Sequence, residues 1–182
     1  MTYDRGLIGK RIASGGDRRV YRYGINNVIK ISSLHFLTGD KLHQKLVRDY
    51  HVCKRYMPEF VVDTLDVTQD DGKHTEIQPF IVGEPLRRVH CDRPFVREQL
   101  QHIVQIAQRM EDDGYPLIDL VGHHGMIGNQ LSNILIDTDD RLHIVDTTLL
   151  EGRSLGPVGI VLDIIKPLIR YKQSYLVKKF LR

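Results

Sequence analysis

The most constraining feature of this chain of 182 residues is the segment 131–148, which reads LSNILIDTDDRLHIVDTT. Two short apolar runs, 133–137 and 141–146, flank the turn sequence TDD, and this pattern predicts a β-hairpin. Because a hairpin returns its ends to the same place, the carboxamide of Asn133 and the carboxylate of Asp146 are expected to face one site. Both groups are hard oxygen donors, which suit a magnesium ion that also holds phosphates.

This segment resembles the metal-binding part of the protein-kinase-like superfamily. The resemblance is nearer to its minimal bacterial branch, with members similar to aminoglycoside phosphotransferases and choline kinases. In that family an Asn after the catalytic loop and the Asp of a D-F-G triplet hold the metal ions. The resemblance therefore implies that Asn133 and Asp146 bind Mg²⁺ and that Asp146 is catalytic. An ordinary hairpin with a capping Asn and a strand-end Asp is the alternative.

Lys30 is the second residue of interest, because it stands inside an apolar run. Strands are predicted over 7–12, 20–23 and 27–31, and the last of these reads NVIKI. A buried lysine needs a partner, unless it lies at an edge and reaches water. The resemblance implies that Lys30 is the lysine that contacts the phosphates of ATP.

The turn between the first two strands, ASGGDR, contains Gly15 and Gly16. These glycines allow backbone N–H groups to approach phosphate oxygens, and Ser14 and Arg18 are further candidate phosphate ligands. Against the kinase pattern G-x-G-x-x-G-x-V, only one glycine position and Val20 match. A plain hairpin turn is therefore an equal alternative.

The helix predicted over 40–57 lacks a residue that the kinase family uses there. In the family a helix Glu pairs with the strand lysine, but this helix contains no Glu. Asp49 is its only central acid, so the resemblance implies that Asp49 orients Lys30 beside the nucleotide. A surface Asp that balances Arg48 is the alternative.

The segment EIQPFIVGEPL, residues 76–86, resembles the kinase hinge, in which an apolar strand precedes G-x-x-L. The adenine edge is then expected to meet backbone groups near 79–81. Since Pro79 has no N–H, Ile81 is the expected donor, with Gln78 beside the pocket. Strands are predicted over 60–67 and 75–82, joined by a hairpin at 70–72.

These elements predict an α+β fold, specifically a small bilobal kinase-like domain with a cleft. A strand-rich N-lobe over 1–82 has an antiparallel sheet and one helix, and 83–86 is the hinge. A truncated helical C-lobe over 87–182 carries the hairpin 133–146. Its clearest helix covers 95–113, and a last helix over about 158–181 is interrupted by Pro167. The whole chain is expected to be a single domain.

The catalytic loop departs from the family pattern. The family base is an Asp five residues before the Asn, and here that position is Gly128. The D-F-G triplet is also altered, because two threonines follow Asp146. Either a nearby residue replaces the base, with Asp119, His123 and His124 as candidates, or the protein binds nucleotide without transferring phosphate.

Asp119 is the preferred substitute. It lies in an apolar context, 117–121, where a carboxylate needs a partner. The glycines that follow give the loop freedom to return toward Asn133. A turn-capping role, or an ion pair with Arg141, is the alternative.

The tail 166–182 is basic and contains no acid. Its lysines and arginines alternate with apolar residues, so it predicts a weak contact with a membrane surface or a partner protein. A terminal helix that packs on the core with its basic face in water is the alternative. The formal charge of +3 gives no reason to expect a nucleic-acid partner.

The expected function is thus an ATP- and magnesium-dependent phosphotransferase, or kinase. The acceptor hydroxyl is unknown and belongs to a small molecule or a protein. The alternative is a pseudokinase, a nucleotide-binding or regulatory scaffold without phosphoryl transfer. The chain has two cysteines and no C-x-x-C or signal-peptide pattern, so a cytoplasmic protein with reduced thiols is expected.

Overall fold

The computed structural model describes residues 3–15, 18–32, 40–70, 73–151 and 157–182. The chain divides into two compact units. The first comprises Met1–Arg48 with Val62–Phe80, and the second comprises Asp49–Val61 with Ile81–Arg182. Gly16, a predicted phosphate-binding residue, lies outside the described residues. The prediction of one domain with a lobe boundary near residue 82 stays a prediction.

The first unit is built on a five-stranded antiparallel sheet in the order β1-β2-β3-β5-β4. A short 3₁₀ helix, Arg5–Leu7, precedes it. The strands are β1 (Ile8–Ser14), β2 (Arg18–Tyr23), β3 (Asn27–Ser32), β4 (Asp66–Asp70) and β5 (Lys73–Pro79). The three strands predicted nearest the N-terminus are therefore confirmed. The β-branched run of β3 suits its central place in the sheet.

The predicted strand over 60–67 is wrong in its first half, since regular pairing begins only at Asp66. Phe60 and Val61 are apolar because they belong to the hydrophobic core of the second unit. The Phe60 carbonyl accepts a hydrogen bond from the Ile144 N–H at 2.7 Å, and Val61 forms an isolated bridge to Ile144. The tip of the hairpin at 70–72 includes residues outside the described part, and its strands pair as far as Asp70 and Lys73.

The second unit combines helices with a three-stranded antiparallel sheet in the order β6-β7-β8. Its strands are β6 (Gly83–Arg87), β7 (Gln130–Asp137) and β8 (Leu142–Ile144). Helix α1 (Asp40–Tyr56) begins in the first unit and ends in the second. A 3₁₀ helix, Arg88–Asp92, is followed by α2 (Pro94–Asp112), α3 (Gly122–Ile127) and α4 (Pro157–Leu181).

The residues predicted as a hinge, 83–86, form most of strand β6, which pairs with β7. A Cβ atom added at Gly83 would lie 2.3 Å from the Ile136 carbonyl oxygen. The glycine is thus needed because two backbones approach closely at that point. At the other end of the strand, Leu86 is fully buried, which explains the G-x-x-L spacing without a flexible linker.

The core of the second unit follows the periodicity of its helices. Leu100, Ile103 and Met110 of α2 pack in one cluster with Leu176 and Phe180 of α4. The amphipathic helix predicted over 95–113 is confirmed by α2, apart from its end residues. Burial of such side chains contributes roughly 1.5–3 kcal/mol each, so these two helices carry much of the stability of this unit.

The predicted interruption of the last helix is wrong, because α4 runs continuously through Pro167. Proline removes one backbone donor from the helix. Pro167 is exposed, and on that side water can satisfy the acceptor that loses its partner. Among the described residues, no helix is both long enough and apolar enough to cross a membrane.

Candidate functional site

Lys30 lies on β3, the middle strand of the first unit's sheet, directly opposite Glu76 on β5. Both side chains are buried, and the Lys30 ammonium nitrogen is 3.9 Å from Glu76 Oε2. Of the two alternatives for this lysine, the structure has the paired lysine of a central strand and not an edge lysine. Its contact with phosphates stays a prediction.

Glu76 is the centre of a buried polar cluster that the sequence analysis did not identify. Its Oε1 atom accepts hydrogen bonds from His74 Nε2 at 2.8 Å and from Arg18 Nη1 at 3.3 Å. Burial alone raises the pKa of this carboxyl. Arg18, the hydrogen bond from His74 and the charge of Lys30 outweigh burial, and they hold the pKa of Glu76 well below its ordinary value. Glu76 is therefore ionised at neutral pH.

The glycine-containing turn of the first unit is closed by its own backbone. The Gly15 N–H donates to the Arg18 carbonyl at 2.8 Å, and Ser14 is the last residue of β1. The Gly15 N–H is thus committed within the turn in this conformation. Phosphate binding by Ser14 and Gly15 stays a prediction.

The segment predicted to meet adenine begins at the end of β5. Gln78 is buried, and its Nε2 group donates to Thr64 Oγ1 at 3.2 Å. The Phe80 N–H donates to the Asn26 carbonyl at 2.8 Å, while Ile81 is the first residue of the second unit's long segment. The roles of Gln78 and Ile81 beside a nucleotide stay predictions.

In the second unit, the structure brings Asp119 and Asn133 together although fourteen positions separate them. The Asn133 Nδ2 group donates to the Asp119 carbonyl oxygen at 2.8 Å. The intervening residues form the short helix α3, and the chain returns through a hydrogen bond from the Ser132 N–H to the Val121 carbonyl at 2.9 Å. The inserted helix therefore explains the long spacing that simple alignment leaves unexplained.

Gly122 makes this arrangement possible. It has φ +65°, and an added Cβ would lie 2.5 Å from Asn133 Oδ1. Both facts require glycine, because other residues rarely adopt this backbone conformation and a side chain would displace the carboxamide. The Asn133 side chain is therefore fixed from two directions, by the Asp119 carbonyl and by the open space at Gly122.

Asp146 lies two residues beyond β8, so it does not end the strand as predicted, and Asn133 lies inside β7 and does not begin it. The Val145 N–H donates to the Asn133 carbonyl at 3.0 Å. Asp146 Oδ1 accepts from the Thr148 N–H at 3.0 Å and from the Thr148 hydroxyl at 2.7 Å.

Thr148 also links Asp146 to Asp119. The Asp119 N–H donates to the Thr148 carbonyl at 3.2 Å. The three polar residues Asp119, Asn133 and Asp146 are therefore joined by hydrogen bonds that each pass through at most one further residue.

The carboxylate of Asp119 has a local structural role. Its Oδ1 atom accepts from the Val121 and Gly122 N–H groups, both at 2.9 Å. This is the turn-capping geometry that was one alternative for Asp119. The other candidate bases, His123 and His124, are exposed on α3, and Gly128 follows the end of that helix.

Asp49 and Cys53 of α1 hold the segment that follows Asp146. The fully buried Asp49 accepts a hydrogen bond from the Leu149 N–H at 3.0 Å, and the Cys53 thiol donates to the Thr147 carbonyl at 3.6 Å. This contact gives Asp49 a role within the second unit. Its predicted role as the partner of Lys30 stays a prediction, because Lys30 belongs to the first unit.

The donor set of the second unit suits a magnesium ion in chemical type. Asn133 and Asp146 supply a carboxamide and a carboxylate oxygen, and the glycine at 122 leaves space at Asn133 Oδ1 that a Cβ would fill. Within the described part of the chain, no group of three His, Cys, Asp or Glu side chains is placed to hold a metal ion. The expected Mg²⁺ would thus share its ligands with a bound nucleotide.

Comparison with known proteins gives a fold but no close relative. No family model and no curated protein matches the sequence. Among solved structures, the chain is similar to the PknI kinase domain of Mycobacterium tuberculosis, with a TM-score of 0.54, 12% identity and coverage of 82% of this chain and 59% of that one. It is also similar to Rad53 residues 1–466 in complex with AMP-PNP, with a TM-score of 0.57, 17% identity and coverage of 96% of this chain and 47% of that one.

The chain therefore spans only about half to three fifths of the length of these solved structures. At this level of identity the likeness concerns the fold alone. The bacterial subtype suggested by the sequence is not distinguished by it. The α+β arrangement, with an N-terminal antiparallel sheet, a helix and a short helical C-terminal part, is a small protein-kinase-like fold.

Proposed function

We propose that this protein binds ATP with Mg²⁺ and transfers a phosphoryl group to the hydroxyl of a small molecule or a protein. The observation that carries the proposal is the hydrogen bond from Asn133 to the Asp119 carbonyl, with Asp146 tied to Asp119 through Thr148. It gathers two magnesium ligands and a carboxylate in one place on a kinase-like fold. Rad53, one of the kinases that share this fold, was solved in complex with AMP-PNP, an analogue of ATP, which supports the choice of nucleotide.

Each residue has a role in the proposal. Lys30 contacts the phosphates, and Asn133 and Asp146 hold the metal ion. When bound, Mg²⁺ neutralises phosphate charge. Asp119 orients the acceptor hydroxyl and receives its proton, which is the task of a general base. A loose phosphoryl-transfer transition state asks little of that base, so positioning by Asn133 and Lys30 matters most.

Turnover with labelled ATP and Mg²⁺ tests this proposal. The wild-type protein is expected to show autophosphorylation or slow ATP hydrolysis, and Asp146→Ala is expected to abolish both. Asp139→Ala is the matched control, because Asp139 lies on the exposed turn of the same hairpin. An Asp146→Ala protein that turns over ATP at the wild-type rate contradicts the assignment.

A pseudokinase is the second candidate function, and a specific observation favours it. One oxygen of the Asp119 carboxylate is engaged by the Val121 and Gly122 N–H groups, and Gly128 stands where the family has its base. A nucleotide-binding scaffold would show a rise in Tm with ATP and no turnover. In an active kinase, Asp119→Asn is expected to lower turnover about a hundredfold or more while the rise in Tm remains.

The tail adds a proposed contact with an anionic membrane surface. Ile164, Leu168, Tyr171 and Tyr175 of α4 are all at least 48% exposed, and their spacing places them on one stripe of the helix. Exposed lysines at 178 and 179 lie beside the stripe near its C-terminal end. Exposed apolar and aromatic side chains beside lysines favour the interface of a membrane with negative lipids.

Vesicle sedimentation tests the tail. Binding to vesicles that contain phosphatidylserine is expected at low salt and is expected to weaken as salt screens the lysines. Leu168→Ser combined with Tyr171→Ser is expected to abolish it, whereas Gln108→Ser on α2 leaves it unchanged. Equal binding to neutral phosphatidylcholine vesicles, or none at low salt, contradicts the proposal.

We also propose a cytoplasmic setting, in which thiols stay reduced. Cys53 and Cys91 are both buried and carry no disulfide. Burial raises the pKa of the Cys91 thiol to about 11, so it is protonated and unreactive at neutral pH. Labelling with a thiol reagent in the native protein is expected to be slow at both positions, and rapid labelling would contradict this environment.

A further inference from the structure

Four ionisable side chains meet inside the sheet of the first unit. Arg18 comes from β2, Lys30 from β3, and His74 and Glu76 from β5. Each side chain is less than one tenth exposed. Buried charges persist only when they are paired and hydrogen-bonded, so this cluster is a costly arrangement that needs a reason.

The two oxygens of Glu76 have different partners. Oε1 receives His74 at 2.8 Å and Arg18 at 3.3 Å, whereas Oε2 faces Lys30 at 3.9 Å. The first oxygen is thus anchored by two hydrogen bonds. The second is directed at the ammonium group at a distance that suits an ion pair but exceeds hydrogen-bond reach.

A second histidine supports the anchor. His74 Nδ1 lies 3.0 Å from His43 Nδ1 on α1, and the His74 N–H donates to Ser32 Oγ at 3.0 Å. An ionised carboxylate only accepts, so His74 Nε2 carries the proton that Glu76 receives. A neutral His74 then accepts from His43 through Nδ1, which fixes its ring and the carboxylate it contacts.

We infer that Glu76 is the residue that positions Lys30 for its contact with nucleotide phosphates. This inference rests on the proposed function for the role of Lys30, but the placement of Glu76 does not. A single carboxylate is shared by Arg18 and Lys30, so the cluster contains one more positive than negative charge among these three groups. That balance keeps Lys30 in place and still favours an approaching anion such as a phosphate.

Removing the charge of Glu76 has a defined consequence. Arg18 and Lys30 lose the carboxylate that they share, and the repulsion between two buried cations moves Lys30 from its position. Phosphate contacts then weaken, while contacts to the base and ribose remain. The loss is expected to be specific to the charged part of the nucleotide.

The test compares ATP with adenosine by isothermal titration. Glu76→Gln is expected to weaken ATP binding by about tenfold or more, as changes at supporting residues of a charged site commonly do. Adenosine binding is expected to stay within about twofold. Glu76→Asp, which keeps the charge, is expected to restore part of the ATP affinity, and Glu98→Gln on the exposed face of α2 is the control. Equal weakening of both ligands indicates a merely structural residue and overturns the inference.

A double-mutant cycle shows whether Glu76 acts through Lys30. In a Lys30→Met background, Glu76→Gln is expected to cause no further loss of ATP affinity. The same cycle on unfolding in urea is expected to give a non-zero coupling between the two residues. If the wild-type protein binds no ATP, the proposed function fails, and the urea cycle still decides the placement of Lys30. Zero coupling in that cycle, or an ATP affinity unchanged in Glu76→Gln, overturns the inference.

Discussion

Asp119 serves two purposes with different atoms. Its carbonyl oxygen receives the Asn133 carboxamide, and its carboxylate caps the turn into α3. Gly122, the third residue of that turn, is held at a positive φ and leaves room for Asn133 Oδ1. A few backbone contacts thus place the polar groups that the proposed function needs.

Gly122→Ala tests that placement at the residue scale. The substitution is expected to cost about 1–2 kcal/mol for the left-handed backbone and, in addition, to displace Asn133 and abolish the effect of Mg²⁺ on ATP binding. Gly114→Ala is a matched control, since Gly114 also has positive φ but no atom within 4 Å of an added Cβ. Urea unfolding and ATP titration measure the two effects. An Mg²⁺ effect that survives in Gly122→Ala contradicts the account of Asn133.

The ionised state of Glu76 gives a pH dependence. Its folded pKa lies below the ordinary value of 4.5, so its stabilising contribution is fully present above pH 4.5 and is lost as pH falls through the folded pKa. The free energy of unfolding of the wild type is therefore expected to fall more steeply below pH 4.5 than that of Glu76→Gln. Parallel acid profiles of the two proteins would show that Glu76 is not held by its cationic partners.

At the scale of elements, strand β6 and helix α4 hold the second unit together in ways that composition alone conceals. Strand β6 needs Gly83 because the Ile136 carbonyl approaches it closely. Helix α4 tolerates Pro167 within a continuous run. Each element predicts a simple change in stability.

Gly83→Ala is expected to destabilise the protein by about 1–3 kcal/mol, since the added methyl meets backbone atoms that have no space to move. Gly9→Ala in β1 is the control, because its nearest neighbours are in ordinary contact at 3.4 Å or more. Urea unfolding measures both. A Gly83→Ala protein as stable as Gly9→Ala would contradict the tight pairing of β6 with β7.

Pro167→Ala is expected to stabilise the protein by about 1–3 kcal/mol, because it restores a helical hydrogen bond and removes a ring that opposes the helix. Ser174→Ala, at another exposed position of α4, should change stability by less than about 0.5 kcal/mol. Tm values compare the variants. A neutral or destabilising Pro167→Ala would indicate a break at this residue, as the sequence pattern alone predicts.

Sequence periodicity predicted elements whose pattern is local. Strands β1–β3, helix α2 and the hairpin of β7 and β8 all follow from the spacing of apolar residues. Residues 60–65 were misassigned because their apolar character reflects packing in the core and not strand pairing. Glu76 was overlooked because its contact with Lys30 depends on the register between two strands, which no local pattern reports. The return of Asp119 to Asn133 depends in the same way on the helix between them.

At the scale of the whole molecule, a kinase-like fold occurs in a chain only 12–17% identical to the solved kinases it matches. The proposal draws on residues of both units, with Lys30 in the first and Asn133 and Asp146 in the second. Fold is shared by many functions, so the chemistry must be tested at these residues. Magnesium is the most direct probe, because it depends on the oxygen donors alone.

Isothermal titration of the wild-type protein with ATP, in the presence and absence of Mg²⁺, tests the central claim most directly. The account predicts that Mg²⁺ strengthens ATP binding by about tenfold, that Asp146→Ala removes this difference, and that Asp139→Ala keeps it. Wild-type protein that binds no ATP, or an Mg²⁺ effect that is the same in Asp146→Ala as in the wild type, would contradict it.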